Sequence, residues 1–239
     1  TSVSCNGYSD GEIDFTGVTG GAPINNSTFY SYTYTWNQYN IGGGLNALGT
    51  GAPPISVSAG FYQCIITHSL SNCSISIDSI EITQPEIMQV DTFSTNITCH
   101  NYNNGIAGVT VNGGTNPYNY NWNNNNTTST IQNLIAGAYI CTITDANGCP
   151  SITSNPIFIT NPAPVDTIYT SSNPVSCYLG SDGTARVYPT GGVGGGIASN
   201  YSYNWKNSQG NTVGTSDIAT GLVAGFYSCT ITDANNCSQ

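Results

Sequence analysis

The stretch at 135–149, IAGAYICTITDANGC, returns almost unchanged as VAGFYSCTITDANNC at 223–237, and more loosely as SAGFYQCIITHSLSNC at 58–73. A string kept three times in one chain marks one supersecondary unit built three times, and a period of roughly 80 residues is long enough for each copy to close a small core of its own. The repetition also argues against a catalytic loop, which a chain rarely keeps in triplicate.

Laid over one another, the copies share an order. A cysteine comes first in a turn-forming string, SCNGYSDG at Cys5, TCHNYNNG at Cys99 and SCYLGSDG at Cys177. A short alternating strand follows (GVTVNGG, ARVYPTGG), then an aromatic strand reading YTYTW, YNYNW or YSYNW and ending on Trp36, Trp122 or Trp205. Successive strand residues point to opposite faces, so Tyr, Tyr and Trp share one face, and their bulk assigns it to the core. Next come a variable loop, the strand carrying Tyr62 and Cys64, Tyr139 and Cys141, or Tyr227 and Cys229, and a DANG or DANN turn. In the first two copies a last strand ends on proline, at IEITQP and IFITNP. Proline has no N–H for a ladder bond, so each marks a module boundary. No segment carries the apolar period of a helix.

Short strands punctuated by turn signals predict an all-β chain of tandem antiparallel β-sandwiches. A Trp on an early strand and a Tyr two residues before a later Cys form the arrangement of immunoglobulin-like domains, in which the Tyr hydroxyl ties back a crossing loop. Tyrosine corners are therefore expected at Tyr62, Tyr139 and Tyr227, and core packing at Trp36, Trp122 and Trp205. The expected modules are 1–85, 86–162 and 163–239. The first is short of its first strand and the third of its last, to be supplied by continuing chain or a neighbouring subunit. The string ITQPEIMQV leaves almost no flexible linker between the first two.

Composition removes several function classes. Two basic residues, Arg186 and Lys206, stand against twelve acidic ones, for a net charge of −10. Nucleic-acid binding needs a cationic footprint that this chain cannot make, and adhesion to anionic lipid by charge fails for the same reason. No apolar run reaches the roughly 20 residues of a membrane span. His68 and His100 fall in different copies with no Ser/His/Asp or Cys/His setting. Asp10, Asp145, Asp182 and Asp233 fall in turns, where a carboxylate accepts backbone N–H groups, and no EF-hand spacing is present, so no cofactor is expected, with calcium at these carboxylates as the weaker alternative. A lysine–asparagine isopeptide bond in every module is excluded because Lys206 is the only lysine. With 30 Asn and 28 Gly the chain is polar, yet 38% hydrophobic and 10% aromatic residues separate it from disordered sequence. Nine cysteines without a Cys-x2-Cys zinc pair point to an oxidising compartment.

The pattern Cys-x-Gly-x-x-Asp-Gly, Gly-Gly-x-x-Pro-Tyr-x-Tyr-x-Trp, Leu-x-Ala-Gly-x-Tyr, Thr-Asp-Ala-Asn-Gly-Cys, Ile-Thr-x-Pro resembles the SprB-type repeats of large surface adhesins of gliding and other Bacteroidota. The second copy matches best, with NGGTNPYNYNW, NLIAGAYICTITDANGC and IFITNP, and the first is degenerate. The resemblance covers the whole chain. It implies a secreted, tandemly repeated protein that extends from the cell surface as a filament or stalk, with other copies of itself as partners, and it implies no substrate. One departure stands out: Cys64, Cys141 and Cys229 replace an aliphatic or polar residue, so each copy holds three cysteines, Cys5/Cys64/Cys73, Cys99/Cys141/Cys149 and Cys177/Cys229/Cys237. Within a module the first cysteine bridges either the middle or the last, and closing roughly 50 residues contributes about 4 kcal/mol by loop entropy. The one left over is either a buried thiol or a link to a neighbouring module or subunit.

Sequons at Asn25, Asn26, Asn72, Asn96, Asn125, Asn126, Asn200 and Asn236 are glycosylation candidates, several of them expected by chance in such a composition. The Bacteroidota resemblance implies instead O-linked sugar at Asp-Ser/Thr-aliphatic sites, met by DSI at Ser79 and DTI at Thr167. The tract NWNNNNTTST reads as a solvated connection. Loops 24–29, 37–54 and 192–200 differ most among the copies and offer an alternative function, contact with surface polysaccharide.

Overall fold

The computed structural model describes residues 1–14, 32–52, 55–69, 71–193 and 197–239. Among these the regular structure is strand, with a single 3-10 turn at Ala198–Asn200 and no α-helix, and the strand pairings are antiparallel. Among the described residues the chain is all-β, built of antiparallel sheets.

In the first copy β1 (Gly11–Ile13), β2 (Tyr32–Tyr39), β3 (Leu45–Thr50), β4 (Ile55–Val57), β5 (Gly60–His68) and β6 (Ser74–Ile82) form two sheets. One pairs β1 with β4 and the other runs β3-β2-β5-β6. Alternation decides which face is covered: along β5 the buried positions are Tyr62, Cys64, Ile66 and His68. Tyr62, Cys64 and Ile66 meet Val3, Ile13, Trp36, Val57 and Ile82 in one cluster, with Tyr32 and Tyr34 packed against it.

The middle copy contributes β7 (Gln89–Thr95), β8 (Gly105–Asn112), β9 (Asn119–Trp122), β10 (Thr130–Leu134), β11 (Gly137–Tyr139), β12 (Cys141–Thr144), β13 (Ile152–Thr153) and β14 (Ile157–Ile159). Here β10-β8-β7 form a three-stranded sheet, β11 pairs β14 and β12 pairs β13. In the third copy β15 (Asp166–Asn173), β16 (Gly183–Thr190), β17 (Ser202–Asn207), β18 (Thr212–Gly214), β19 (Ile218–Leu222) and β20 (Tyr227–Thr232) give sheets ordered β15-β16-β19 and β18-β17-β20. Their shared core is Val165, Val187, Tyr201, Tyr203, Trp205, Ala219, Leu222 and Ile231.

Compactness divides the chain differently from its sequence copies. One unit holds 1–90, 111–120 and 142–153, and the other holds 91–110, 121–141 and 154–239. The first thus contains the whole first copy plus the glycine pair and DANG turn of the second. The other contains the second copy's opening loop and the whole third copy.

Candidate functional site: a clasp between successive repeats

The two disulfides join Cys5 to Cys149 and Cys99 to Cys237. Each ties the opening cysteine of one copy to the closing cysteine of the next, and each lies inside one compact unit. Bridging within a copy is therefore corrected, and the third copy supplies the reason. Cys177 precedes β16, while the closing turn at Asp233–Cys237 sits past the end of β16, where Asp233 Oδ2 accepts the Val193 amide at 2.9 Å. An eight-residue strand holds those points about 25 Å apart at ~3.3 Å per residue, whereas a disulfide needs Cα atoms within about 7 Å.

The clasp is built from local rules. In the closing turn of the second copy, Asp145 is buried and its carboxylate caps two backbone donors, Cys149 N–H at 2.9 Å and Thr115 N–H at 3.0 Å. Asp233 does the same in the third copy for Cys237 and Asn235, both at 2.9 Å, as well as for Val193. Short Asp side chains that satisfy turn amides are what such a turn requires. With the turn fixed, the next Asn reaches across to the preceding copy: Asn147 Nδ2 donates to Ser4 O at 2.7 Å, and Asn235 Nδ2 to Thr98 O at 3.0 Å. Beside each contact stands the disulfide, with Cys5 only 2% and Cys99 only 6% exposed.

The receiving loops are held in turn by a carboxylate or amide six residues on. Ser4 N–H donates to Asp10 Oδ1 at 3.0 Å, and the Ser4 hydroxyl bonds the other oxygen; these contacts, the hydroxyl first, hold the Asp10 carboxyl below the usual range. In the second copy Asn104 takes that place, accepting from Thr98 N–H at 3.1 Å. Each loop also grips the end of its own copy's last segment, through Asn6 Nδ2 to Pro85 O at 3.0 Å and Asn101 N–H to Asn161 Oδ1 at 3.0 Å. His100 Nδ1 lies 2.8 Å from Pro162 O. The linkers are pinned as well: Gly114 N–H donates to Glu86 O at 2.8 Å and Gly192 N–H to Ala163 O at 3.0 Å. A cleft of about 270 Å³ lies against the first clasp, lined by Cys5, Glu86, Met88, Gly114, Cys149 and Pro150 among others.

The other five cysteines stand as thiols: Cys64 and Cys141 buried, Cys229 half-buried, Cys73 and Cys177 exposed. The middle cysteine of every copy stays out of the bridges, Cys64 and Cys141 as small buried core residues, and so do the closing Cys73 of the first copy and the opening Cys177 of the third. Burial pushes the Cys64 thiol up to about 11, and Cys141 and Cys229 upward as well. At neutral pH Cys64 is thiolate in roughly one part in ten thousand. Iodoacetamide is expected to leave Cys64 unmodified in folded protein and to label it after urea denaturation; fast labelling of the folded form would show that the site opens.

Tyr62, Tyr139 and Tyr227 each donate a hydroxyl to the carbonyl four residues back, at Ser58 (2.7 Å), Ile135 (3.0 Å) and Val223 (2.9 Å). The Trp36, Trp122 and Trp205 indoles are buried and donate Nε1–H to Gly51 O, Thr128 O and Ser216 O. Tyr139→Phe keeps the ring and removes one bond to a carbonyl, so the expected loss is about 1 kcal/mol in urea unfolding, with an unchanged transition midpoint as the contrary result.

Of the glycosylation candidates, Ser79 is exposed with φ 59° at the point where the β5–β6 register shifts, and its neighbour Asp78 accepts from Gln63, Ser76 and Tyr39. Thr167 is half-buried, with its N–H on Asp166 Oδ1 and a register shift just after it. Asn96, Asn125, Asn126 and Asn200 are exposed, although Asn96 Oδ1 accepts the Thr160 amide at 2.9 Å. Asn25 and Asn26 lie outside the described residues, as does loop 24–29. Asn72 and Asn236 hold left-handed turn positions.

Comparison with known families bears on the copy that donates to one clasp and receives the other. Residues 92–127 match the SprB repeat. That match runs from within β7 through the Cys99 loop and the Gly113–Gly114 pair to the segment after Trp122, and the order of sequence motifs it covers recurs in the flanking copies. Among solved structures, the three N-terminal domains of the outer capsid protein Hoc of bacteriophage RB49 align at 14% identity and TM-score 0.46, covering 90% of this chain and 84% of that one. An amphioxus IgVJ-C2 molecule aligns at 16% and 0.29, covering 58% and 92%, and Sidekick-1 immunoglobulin domains 1–5 at 12% and 0.27, covering 89% and 53%. Comparison with curated proteins finds no match.

Proposed function

We propose that this SprB-repeat chain is a load-bearing segment of an extracellular filament or adhesin stalk, made of three β-sandwich modules at 1–85, 86–162 and 163–239, with other copies of itself as partners. The observation that carries the reading is that the two disulfides interleave: Cys99 lies within the loop closed by Cys5–Cys149, and Cys149 within the loop closed by Cys99–Cys237. Sequence separations of 144 and 138 make each bond worth about 5 kcal/mol by loop entropy. A domain that turned over substrate needs stability in its own fold; a tether under load needs a covalent path from one module to the next. Such bonds persist outside reducing compartments, which supports secretion to the cell surface.

Electron microscopy of the native material tests this. Fibrous or stalk-like projections are expected; isolated globular monomers that bind a soluble ligand would overturn it. The same proposal includes O-linked sugar at Ser79 and Thr167, and an intact mass equal to the bare sequence removes that part. A second reading, contact with surface polysaccharide, is favoured by a cleft of about 400 Å³ in the first copy that is bordered by Gln38, Leu48, Gly49 and Gly51 of the variable segment 37–54, which holds the end of β2 and its paired strand β3 in place of the expected loop. A glycan-array signal that vanishes when this segment is shortened would favour that reading over the stalk.

A further inference from the structure

Two of the three opening cysteines are bonded to the closing cysteine of a following copy, and the third, Cys177, is an exposed thiol. Two of the three closing cysteines are bonded to the opening cysteine of a preceding copy, and the third, Cys73, is likewise exposed. We infer that Cys177 and Cys73 are the two open halves of further clasps of the same kind. Cys177 receives the closing cysteine of a following repeat, and Cys73 is delivered to the opening loop of a preceding one. This goes beyond the stalk reading, since it concerns which sulfurs bond rather than what the assembly does.

The inference stands first on the same position being bonded twice within this chain, and second on the equivalence of the third loop to the two occupied ones. Two residues after the cysteine the backbone is left-handed in all three, at Gly7 (φ 78°), Asn101 (φ 60°) and Leu179 (φ 62°). Three residues after it an N–H closes onto the cysteine carbonyl, from Tyr8 (3.1 Å), Tyr102 (3.0 Å) and Gly180 (2.9 Å). Ser176 N–H donates to Asp182 Oδ1 at 3.0 Å, the place that Ser4 and Asp10 take in the first copy. Leu179 holds that backbone region, sterically costly for leucine, at 84% exposure, and Tyr178 beside it is 93% exposed. In the two occupied loops an Asp-Ala-Asn-x-Cys turn reaches the loop through its Asn, which donates to the carbonyl before the cysteine; in the third loop the carbonyl at that place is that of Ser176.

The donor half at Cys73 keeps the closing-turn frame. His68 N–H donates to Cys73 O at 2.9 Å, as Asp233 N–H does to Cys237 O at 2.9 Å, and left-handed Asn72 (φ 53°) matches Asn236 (φ 63°). Its turn is one residue longer, from His68 to Cys73 against Asp145 to Cys149, and lacks the bridging Asn. The bond itself, rather than a polar bridge, then carries that clasp. Closing each one joins two thiols as a disulfide, and the two electrons and two protons pass to a disulfide-class oxidant, which leaves as two thiols.

The test is disulfide mapping of protein isolated from the producing cell without reductant. Iodoacetamide labelling of Cys73 and Cys177 is expected to be about tenfold lower before reduction than after, and digestion should recover Cys177 joined to a cysteine that closes an Asp-Ala-Asn-x-Cys or His-Ser-Leu-Ser-Asn-Cys turn. A non-reducing gel tells the two sources of that turn apart: a ladder that collapses on reduction places it on a second copy, and a single species places it on the same polypeptide. Cys177 labelled before reduction, or joined to another Cys177, while Cys5–Cys149 and Cys99–Cys237 are found bonded in the same digest, overturns the inference. Because this reads bonds and not fibres, it can fail while the stalk reading stands.

Discussion

Pulled from its ends without reductant, the fully unfolded chain is expected to extend only about 170 Å between Cys5 and Cys237, against about 800 Å once reduced, at ~3.4 Å per residue. The covalent route under tension steps from Cys5 to Cys149, runs back along the chain to Cys99, and steps to Cys237. Only the 50 residues from Cys99 to Cys149 (149 less 99) can be drawn out, in place of the 232 from Cys5 to Cys237. Single-molecule force extension with and without reductant measures this, and equal contour lengths would refute the connectivity. Bridging within each copy also limits extension, so a second readout is needed. Glutamates occur only at Glu12, Glu81 and Glu86. After glutamyl-specific cleavage without reduction, the piece 1–12 bearing Cys5 should travel with 87–239 and leave 13–81 behind; co-migration of 1–12 with 13–81 is the contrary result.

Gly191→Ala should be the most damaging single methyl group in the third copy, with an expected loss of about 3–4 kcal/mol in urea unfolding. Gly191 has φ 71°, and a Cβ there would stand 1.8 Å from Pro164 O, a backbone atom of the linker that cannot swing aside. Its own carbonyl accepts the Tyr201 hydroxyl at 2.6 Å, so the turn is held from both sides. Gly113 repeats the arrangement against Ile87 O at 2.2 Å with φ 75°. Gly210→Ala is the control: its φ of 82° carries the same backbone cost, but no atom lies within 4 Å, so about 1 kcal/mol is expected. Equal losses at the two sites would mean that the linker yields and that the glycine pair does not pin it.

Much of the fold was legible because it rests on short-range rules. Tyr203 and Trp205 face inward because strand side chains alternate, and Tyr62, Tyr139 and Tyr227 reach the carbonyl four residues back because hydroxyl and acceptor share one local turn. Asp145 and Asp233 were placed in turns for the reason that holds them there, a short carboxylate that caps turn amides. The signal for the clasp is also present, in one opening and one closing cysteine per copy, yet it does not distinguish an intramodular bridge from one between copies, because spacing along the chain carries no sign of which end of a sandwich a residue occupies.

Strand order, turn positions, the inward aromatic face and the threefold repeat were thus decided by the sequence alone, since each depends on residues near one another in the chain. Which sulfur meets which was decided only in three dimensions. A cysteine before β16 and one in the turn past its far end are separated by the length of that strand, so each can close only on what the neighbouring repeat brings to it.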